Sequence, residues 1–217
     1  MMKMPRIGYE GKIIGPNLYW ISLLVTASFA FLHRMGGDLV NWNYLGFEVV
    51  FPLYTAIMVG ECVKTRSDPM FEVIEAQSAS LFQWILARCL YVFSSVGIFA
   101  AAAMLAPQTS KSAAPFGELL FVFLPTSFFL SSLGILCSLF TKNAHAATAV
   151  CAIYALFSLL VRSLLRFPFV QRFYLFIRFA DESSPLWFQN KCNLVVIGMV
   201  MWILIDGILH NRTVLQA

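Results

Sequence analysis

The stretch SDPMFEVIE, residues 67–75, is a short polar segment between two long apolar runs. A loop joining two membrane spans needs only a few polar residues, whereas this one carries the start signal of a helix of its own. Asp68 is a good N-cap, and Pro69 suits the first helical position, where its missing N–H costs nothing. The sequence therefore predicts a short helix over residues 68–77, outside the apolar layer.

The composition around this segment is that of an integral membrane protein. Of 217 residues, 59% are hydrophobic and 12% are charged, and the mean hydropathy is +0.76. A soluble core cannot hide so much apolar surface. A bilayer core of ~30 Å needs about 20 helical residues per span, and the chain has six runs of suitable length. These runs are residues 17–32, 46–63, 81–106, 117–140, 144–164 and 193–209.

The runs lack strict alternation of polar and apolar residues, which favours helices over a barrel. We therefore predict an all-α membrane protein forming one transmembrane domain over residues 1–217. It would have six transmembrane helices, the helix 68–77 between the second and third, and an interfacial segment between the fifth and sixth. No small-residue cleavage site follows the first run, so we expect a retained span rather than a removed signal peptide.

Several classes of site are disfavoured by the sequence. The five cysteines are scattered singly without a CxxC spacing, so we expect neither a metal site nor a disulfide framework. The net charge of +4 is explained by Lys and Arg side chains that anchor spans at lipid headgroups. Nucleic acid is therefore not an expected partner.

The predicted helix 68–77 is amphipathic. Phe71 and Ile74 lie on an apolar side, and Glu72 and Glu75, three residues apart, share a polar side. Such a helix lies flat along the membrane surface. Two interpretations remain open: an ordinary interfacial linker whose carboxylates face water, and a surface on which another protein docks.

The distribution of Lys and Arg indicates how the chain is threaded. With the N-terminus inside, eight of these cations fall on inner segments and seven on outer ones. Five of the seven lie between the fifth and sixth runs, and without them the count is eight to two. This favours both termini in the cytoplasm.

Residues 162–178, within that outer region, alternate arginines with aromatic residues. This pattern predicts a segment at the membrane boundary whose guanidinium groups reach water. The alternative is that the longer loop 162–192 contributes to an outer gate or to substrate contact.

Three residues inside the spans need an explanation. Glu48 lies three residues into the second run, where it meets water or Asn43, or else faces a pathway. Asp206 precedes His210 by four residues, which suggests an i,i+4 pair near the inner surface, with a pathway role as the alternative. Pro125 removes a backbone bond from the fourth run and is a candidate kink or gating position, with nearby hydroxyls able to bond freed carbonyls.

Parts of the sequence resemble a known family from the second run to the fifth. They are FPLY at 51–54, GE at 60–61, the helix 68–77, AR at 87–88, FLPTSFFLSSLG at 123–134 and SLFTKNA at 138–144. In these stretches the chain is similar to the coupling-helix region of ABC-2-type transporter permeases.

The resemblance implies the transmembrane subunit of an ATP-driven ABC exporter in a bacterial cytoplasmic membrane. Its substrate would be hydrophobic or amphipathic, such as an antimicrobial peptide, a lipid or a drug. A second permease subunit would complete a homodimer or heterodimer. The residues that would contact the ATPase subunit are Asp68, Pro69, Phe71, Glu72, Ile74 and Glu75. ATP and magnesium would bind that partner, which agrees with the lack of a GxxxxGK[ST] motif here. We therefore expect this chain to be no enzyme and to bind no cofactor.

Two other functions fit the sequence less well. An ion-coupled carrier using Glu48 or Asp206 should show similarity between its two three-helix halves, and none is visible. An intramembrane enzyme should carry a motif such as HExxH or GxSxG, and neither occurs.

Overall fold

The structure is a computed structural model, and it describes residues 16–34, 39–63, 81–105, 114–141, 145–181 and 183–216. All regular secondary structure in these residues is helical, which confirms the predicted class. The helices are α1 (Asn17–Arg34), α2 (Leu39–Tyr44), a π-helical turn (Leu45–Val50), α3 (Phe51–Cys62), α4 (Leu81–Leu105), α5 (Phe116–Phe140), α6 (Ala146–Leu160), a 3-10 helix (Val161–Arg166), α7 (Pro168–Gln171), α8 (Ile177–Ala180) and α9 (Trp187–Gln216). The predicted helix 68–77 lies outside the described residues.

Five of the described helical stretches are long and apolar enough to cross a membrane, so the chain is a multi-pass membrane protein by length and composition. They are Trp42–Cys62, Leu81–Leu105, Phe116–Phe140, Ala147–Arg166 and Trp187–His210. They correspond to the second to sixth predicted runs. The first run forms α1, whose apolar part, Asn17–Phe31, is shorter than a typical span. A sixth span therefore stays a prediction.

Helix α5 is the centre of the bundle. In its most apolar window 67% of the residues are buried, compared with 22% for the spans that contain α6 and α9. A helix that is hydrophobic on every side is surrounded by other elements. Helix α5 packs mainly against α3 and α9, so these three helices form the core, whereas α6 and much of α9 present apolar side chains outward.

The last helix begins earlier than predicted. It starts at Trp187 rather than at residue 193, so its first turns contain the polar residues Asn190 and Lys191. The sequence-based boundary excluded these residues because unpaired polar groups are costly in hydrocarbon. They are in fact fully buried in protein, and the longer helix carries Lys191 into the bundle.

The second span is a continuous helix that widens at Leu45–Val50. Here the backbone N–H of Phe51 donates to the carbonyl of Gly46, five residues earlier. Pro52 follows, and because it has no N–H to donate, it cannot bond the carbonyl of Glu48 as a regular helix would require. The π-helical turn adapts the helix to the missing N–H of Pro52. It also places the Glu48 side chain in the interior.

This turn is pinned to α1 by aromatic packing. The ring of Phe29 on α1 stacks on those of Phe47 and Phe51, with centroid distances of 6.1 and 5.6 Å. Gly46 lies directly beneath Phe29, and a Cβ atom at Gly46 would lie 2.5 Å from that ring. The close approach therefore requires glycine.

Replacing Gly46 should destabilise the protein, whereas a glycine in open surroundings should tolerate a methyl group. For Gly46→Ala we expect a loss of about 1–3 kcal/mol from overpacking against Phe29. Gly97→Ala on α4 is the matched control, because nothing lies within 4 Å of its added Cβ; its helix should gain up to about 1 kcal/mol. Thermal unfolding of both variants in detergent measures the difference, and equal melting temperatures would contradict the packing described.

Candidate functional site

The main polar feature of the bundle is an ion pair between Glu48 and Lys191. Both side chains are fully buried, and Lys191 Nζ lies 2.5 Å from Glu48 Oε1. The ammonium also donates to Thr126 Oγ1 on α5 at 2.8 Å and to the Leu175 carbonyl at 3.2 Å. An ammonium has three N–H donors, so each donor of Lys191 has an acceptor.

Glu48 has further partners beyond the ammonium. Its two carboxylate oxygens accept the backbone N–H groups of Arg178, at 3.2 Å, and Phe179, at 2.6 Å, in the first turn of α8. A buried carboxylate is tolerated when it is both paired and hydrogen-bonded. The Glu48–Lys191 pair therefore ties together the π-helical turn, α5, α8 and α9.

A second layer of charge lies closer to the end of the bundle. Glu118, in the first turn of α5, accepts hydrogen bonds from Arg178 Nε at 2.9 Å and from the Tyr44 hydroxyl at 2.6 Å. It also forms a salt bridge with Arg178 Nη2. The guanidinium carbon lies 5.1 Å from the ring centres of both Tyr44 and Trp187. Burial acts to lower the pKa of Arg178, but Glu118 and Tyr44 outweigh it and raise that pKa above its ordinary value.

The two layers form one neutral network with two acids and two bases. Thr126 follows Glu118 by eight residues, which places the deeper layer about 12 Å further along α5 at ~1.5 Å per residue. The bonds of Lys191 all end on protein groups, so this arrangement suits holding elements together rather than receiving a ligand. Among the residues that the structure describes, no three candidate metal ligands come together.

The segment between α6 and α9 has two unlike halves. In the first half Arg162, Arg166 and Arg172 are exposed, as are the rings of Phe167 and Phe169. The placement of this half at the membrane boundary, with its rings in lipid and its cations in water, stays a prediction.

The second half turns into the bundle instead. Residues 174–177 are buried, and the Tyr174 hydroxyl donates to the Ser158 carbonyl at 2.5 Å. Burial raises the pKa of Tyr174 to about 12. The Nδ2 of Asn190 donates to the carbonyls of Gln171 and Tyr174, both at 2.7 Å. The prediction that the guanidinium groups of residues 162–178 reach water is therefore wrong for Arg178, and residues 174–180 re-enter the protein.

The predicted pathway residues are not brought together. Glu48 was expected to meet water or Asn43, which is wrong, because it is buried against Lys191; the Asn43 Nδ2 is buried without a hydrogen bond. Asp206 lies on an exposed position of α9, 15 residues beyond Lys191 and outside the network.

Pro125 is buried in α5, next to Thr126 of the deeper layer. As an imino acid it leaves the carbonyl of Phe121 without its usual helical donor. The Thr126 hydroxyl donates to the Val122 carbonyl at 2.9 Å rather than to Phe121. The Thr126 hydroxyl therefore accepts a hydrogen bond from the Lys191 ammonium and donates its own proton to a carbonyl of α5.

Sequence reasoning missed four members of the network, namely Tyr44, Glu118, Arg178 and Lys191. One signal was available: a buried acid such as Glu48 needs a base, and Lys191 was assigned to a loop only because it is charged. The partners are 143 residues apart in sequence, so no local spacing indicates the pairing.

At the opposite end of the bundle, Arg88 joins α3 to α4. Its side chain is buried, and Nη1 donates to the carbonyl of Cys62, the last residue of α3, at 2.9 Å. The guanidinium carbon lies 3.6 Å from the ring centre of Trp84. A cation at a helix C-terminus bonds an unpaired carbonyl and opposes the negative end of the helix dipole. Arg88 thereby fixes the two helix ends that flank residues 64–80.

The start of α6 lies at the same end. The Thr148 hydroxyl donates to Glu61 Oε1 at 3.4 Å, and His145 Nδ1 lies 3.8 Å from the same oxygen. Glu61 is in the last turn of α3, so the end of this helix contacts both α4 and α6.

Comparison with known proteins identifies no relative. The chain matches no protein-family model, no curated protein and no solved structure. Its function therefore has to be inferred from its own residues.

Removing the charge of Lys191 alone should lower the stability of the protein more than removing the charges of both Lys191 and Glu48. Lys191→Met leaves the Glu48 carboxylate uncompensated, which costs about 3–5 kcal/mol for a buried pair. Glu48→Gln combined with Lys191→Met keeps an acceptor for one α8 amide and removes the orphan charge, so it should be the more stable of the two. The melting temperatures of the two variants in detergent show which is more stable.

A second readout tests whether the pair holds the re-entrant residues in place. Limited trypsin digestion after the exposed Arg172 should be faster in Lys191→Met than in the wild type. Equal melting temperatures of Lys191→Met and the double variant, with no change in cleavage after Arg172, would show that the pair does not hold this segment.

Proposed function

We propose that this chain is the transmembrane permease subunit of an ATP-driven ABC exporter. The supporting observation is the contact between Arg88 and the end of α3. It joins the two helices that flank residues 64–80, and the predicted coupling helix 68–77 falls in this interval. A partner that moves this interval would therefore move α3 and α4 as one unit.

The path of such a movement follows α3. From Cys62 this helix continues through the π-helical turn to Glu48, a distance of about 21 Å at ~1.5 Å per residue. Glu48 is bonded to α8 and α9. A displacement applied near Cys62 thus reaches the ion network at the far end, as rigid-body motion of packed helices requires.

The proposed assembly needs other chains. An ATPase subunit would bind ATP and magnesium and would receive Asp68, Pro69, Phe71, Glu72, Ile74 and Glu75 in its groove. A second permease subunit, identical or homologous, would form the other half of the pathway. With both termini in the cytoplasm, Arg88 lies at the inner end and the ion network at the outer end. ATP-driven closure of the motor would then change access between the two halves.

One observation favours a second candidate, an ion-coupled carrier. Glu48 is a buried acid in a membrane span, which is a common feature of proton and ion pathways. Its saturated bonding to Lys191 and two backbone amides argues instead for a structural role. Uptake or efflux driven by a proton gradient without ATP, and lost in Glu48→Gln, would favour the carrier.

The permease proposal predicts a stable complex with an ATPase through residues 68–77. Reversing both Glu72 and Glu75 to Lys should abolish copurification of the ATPase from native membranes, since the two carboxylates share the polar side of the predicted helix. Arg166→Glu with Arg172→Glu is a matched control, because it reverses two exposed charges at the opposite end of the bundle. This control should retain the ATPase. If replacing all of residues 68–77 leaves the association unchanged, the segment is a surface anchor and the proposal fails.

A further inference from the structure

A lateral groove of about 410 Å³ lies between α4 and α9. Its lining is apolar and includes Phe82, Leu90 and Phe93 of α4, Phe128 of α5, and Trp202 and Ile203 of α9. Its volume is within the ~300–1,000 Å³ of small-molecule sites. The rim residues Leu90 and Ile203 are 56% and 71% exposed in membrane-spanning helices, so the groove opens sideways toward hydrocarbon.

The floor of the groove depends on one glycine. The ring of Phe128 lies against Gly198 of α9, where an added Cβ atom would come within 2.6 Å of it. The T-shaped pair of Phe82 and Trp202, with centroids 5.8 Å apart, lines the groove near the start of α4. The groove thus extends from that end over the first half of α4, about 16 Å from Phe82 to Phe93 at ~1.5 Å per residue.

An acidic side chain continues the same face of α9. Asp206 follows Trp202 by four residues and Ile203 by three, which are the spacings of neighbours on one side of a helix. The Cα–Cβ bond of a helical residue tilts toward the N-terminus of its helix, which for Asp206 is the direction of the groove. Asp206 is exposed, and it lies one turn before the end of the apolar span at His210.

His210 and Arg88 are two basic groups that could pair with this acid. His210 lies on the same stripe, four residues beyond Asp206, and is exposed toward the end of the span. Arg88 is on α4, but its guanidinium bonds the Cys62 carbonyl of α3 and stacks on Trp84, which do not line the groove. A carboxylate within a lipid-facing stripe is costly unless a cation approaches it.

We propose that this groove binds a single-tailed amphiphilic cation, with the tail in the apolar channel and the cationic head at Asp206. The chemistry follows from the arrangement: an apolar groove of about 410 Å³ accepts one hydrocarbon chain, and an acid one turn beyond Trp202 and Ile203 selects a positive head over a negative one. A role of this binding in export rests on the proposed function. The binding itself requires no ATPase.

The test uses the purified full chain in nanodiscs of zwitterionic lipid. Radiolabelled dodecyltrimethylammonium is the probe, and saturable binding is measured by scintillation proximity. Unlabelled probe should displace it, whereas equal concentrations of dodecyl sulfate should not. Asp206→Asn should weaken binding about fivefold, equivalent to about 1 kcal/mol for one charge pair near a surface, and Asp206→Glu should restore it.

A matched pair of substitutions tests whether the hydrocarbon tail of the probe lies in the groove. Ile203→Trp fills the rim of the groove and should abolish saturable binding, whereas Val196→Trp, at a similarly exposed position of α9 away from the groove, should not. Size-exclusion profiles show that the variants remain folded. Equal displacement by dodecyl sulfate, full binding in Asp206→Asn, or full binding in Ile203→Trp would each overturn the proposal. Loss of ATPase association alone would not affect it, so failure of the proposed function is distinguishable.

Discussion

The buried ion pair between Glu48 and Lys191 is the constraint on which the rest of the bundle depends. Neither charge is tolerable alone in an apolar interior, so the elements that carry them must meet in one register. The pair sets the depth of α9 against the π-helical turn, and the amides of Arg178 and Phe179 bring α8 to the same carboxylate. A shift of one helix by a single turn would separate all of these partners.

The same pair explains why helix boundaries were harder to predict than helix number. Apolar runs located the second to sixth spans, because hydrocarbon selects stretches of about 20 apolar residues. The start of α9 was placed six residues late, since Asn190 and Lys191 look like loop residues when their partners are unknown. Asn190 donates to the carbonyls of Gln171 and Tyr174, and Lys191 pairs with Glu48. No local sequence pattern indicates these pairings.

The re-entrant residues 174–180 illustrate a further limit of sequence patterns. Arginines alternating with aromatic rings occur in both halves of the segment between α6 and α9, yet only the first half is exposed. The halves differ because Arg178 has Glu118 and Tyr44 within reach, whereas Arg166 and Arg172 extend into the surroundings. Backbone N–H groups buried in protein need acceptors, and the Glu48 carboxylate accepts from those of Arg178 and Phe179.

The two ends of the bundle are held together by different contacts. One end is closed by a neutral network in which every ammonium proton of Lys191 is bonded, so its elements move together or not at all. At the other end, Arg88 joins α3 to α4, and the apolar groove lies between α4 and α9. Helix α3 connects them, because it starts from the π-helical turn and ends at the Arg88 contact. Under the proposed function, a force applied at the second end would therefore act on a helix whose far end is held by the buried charges.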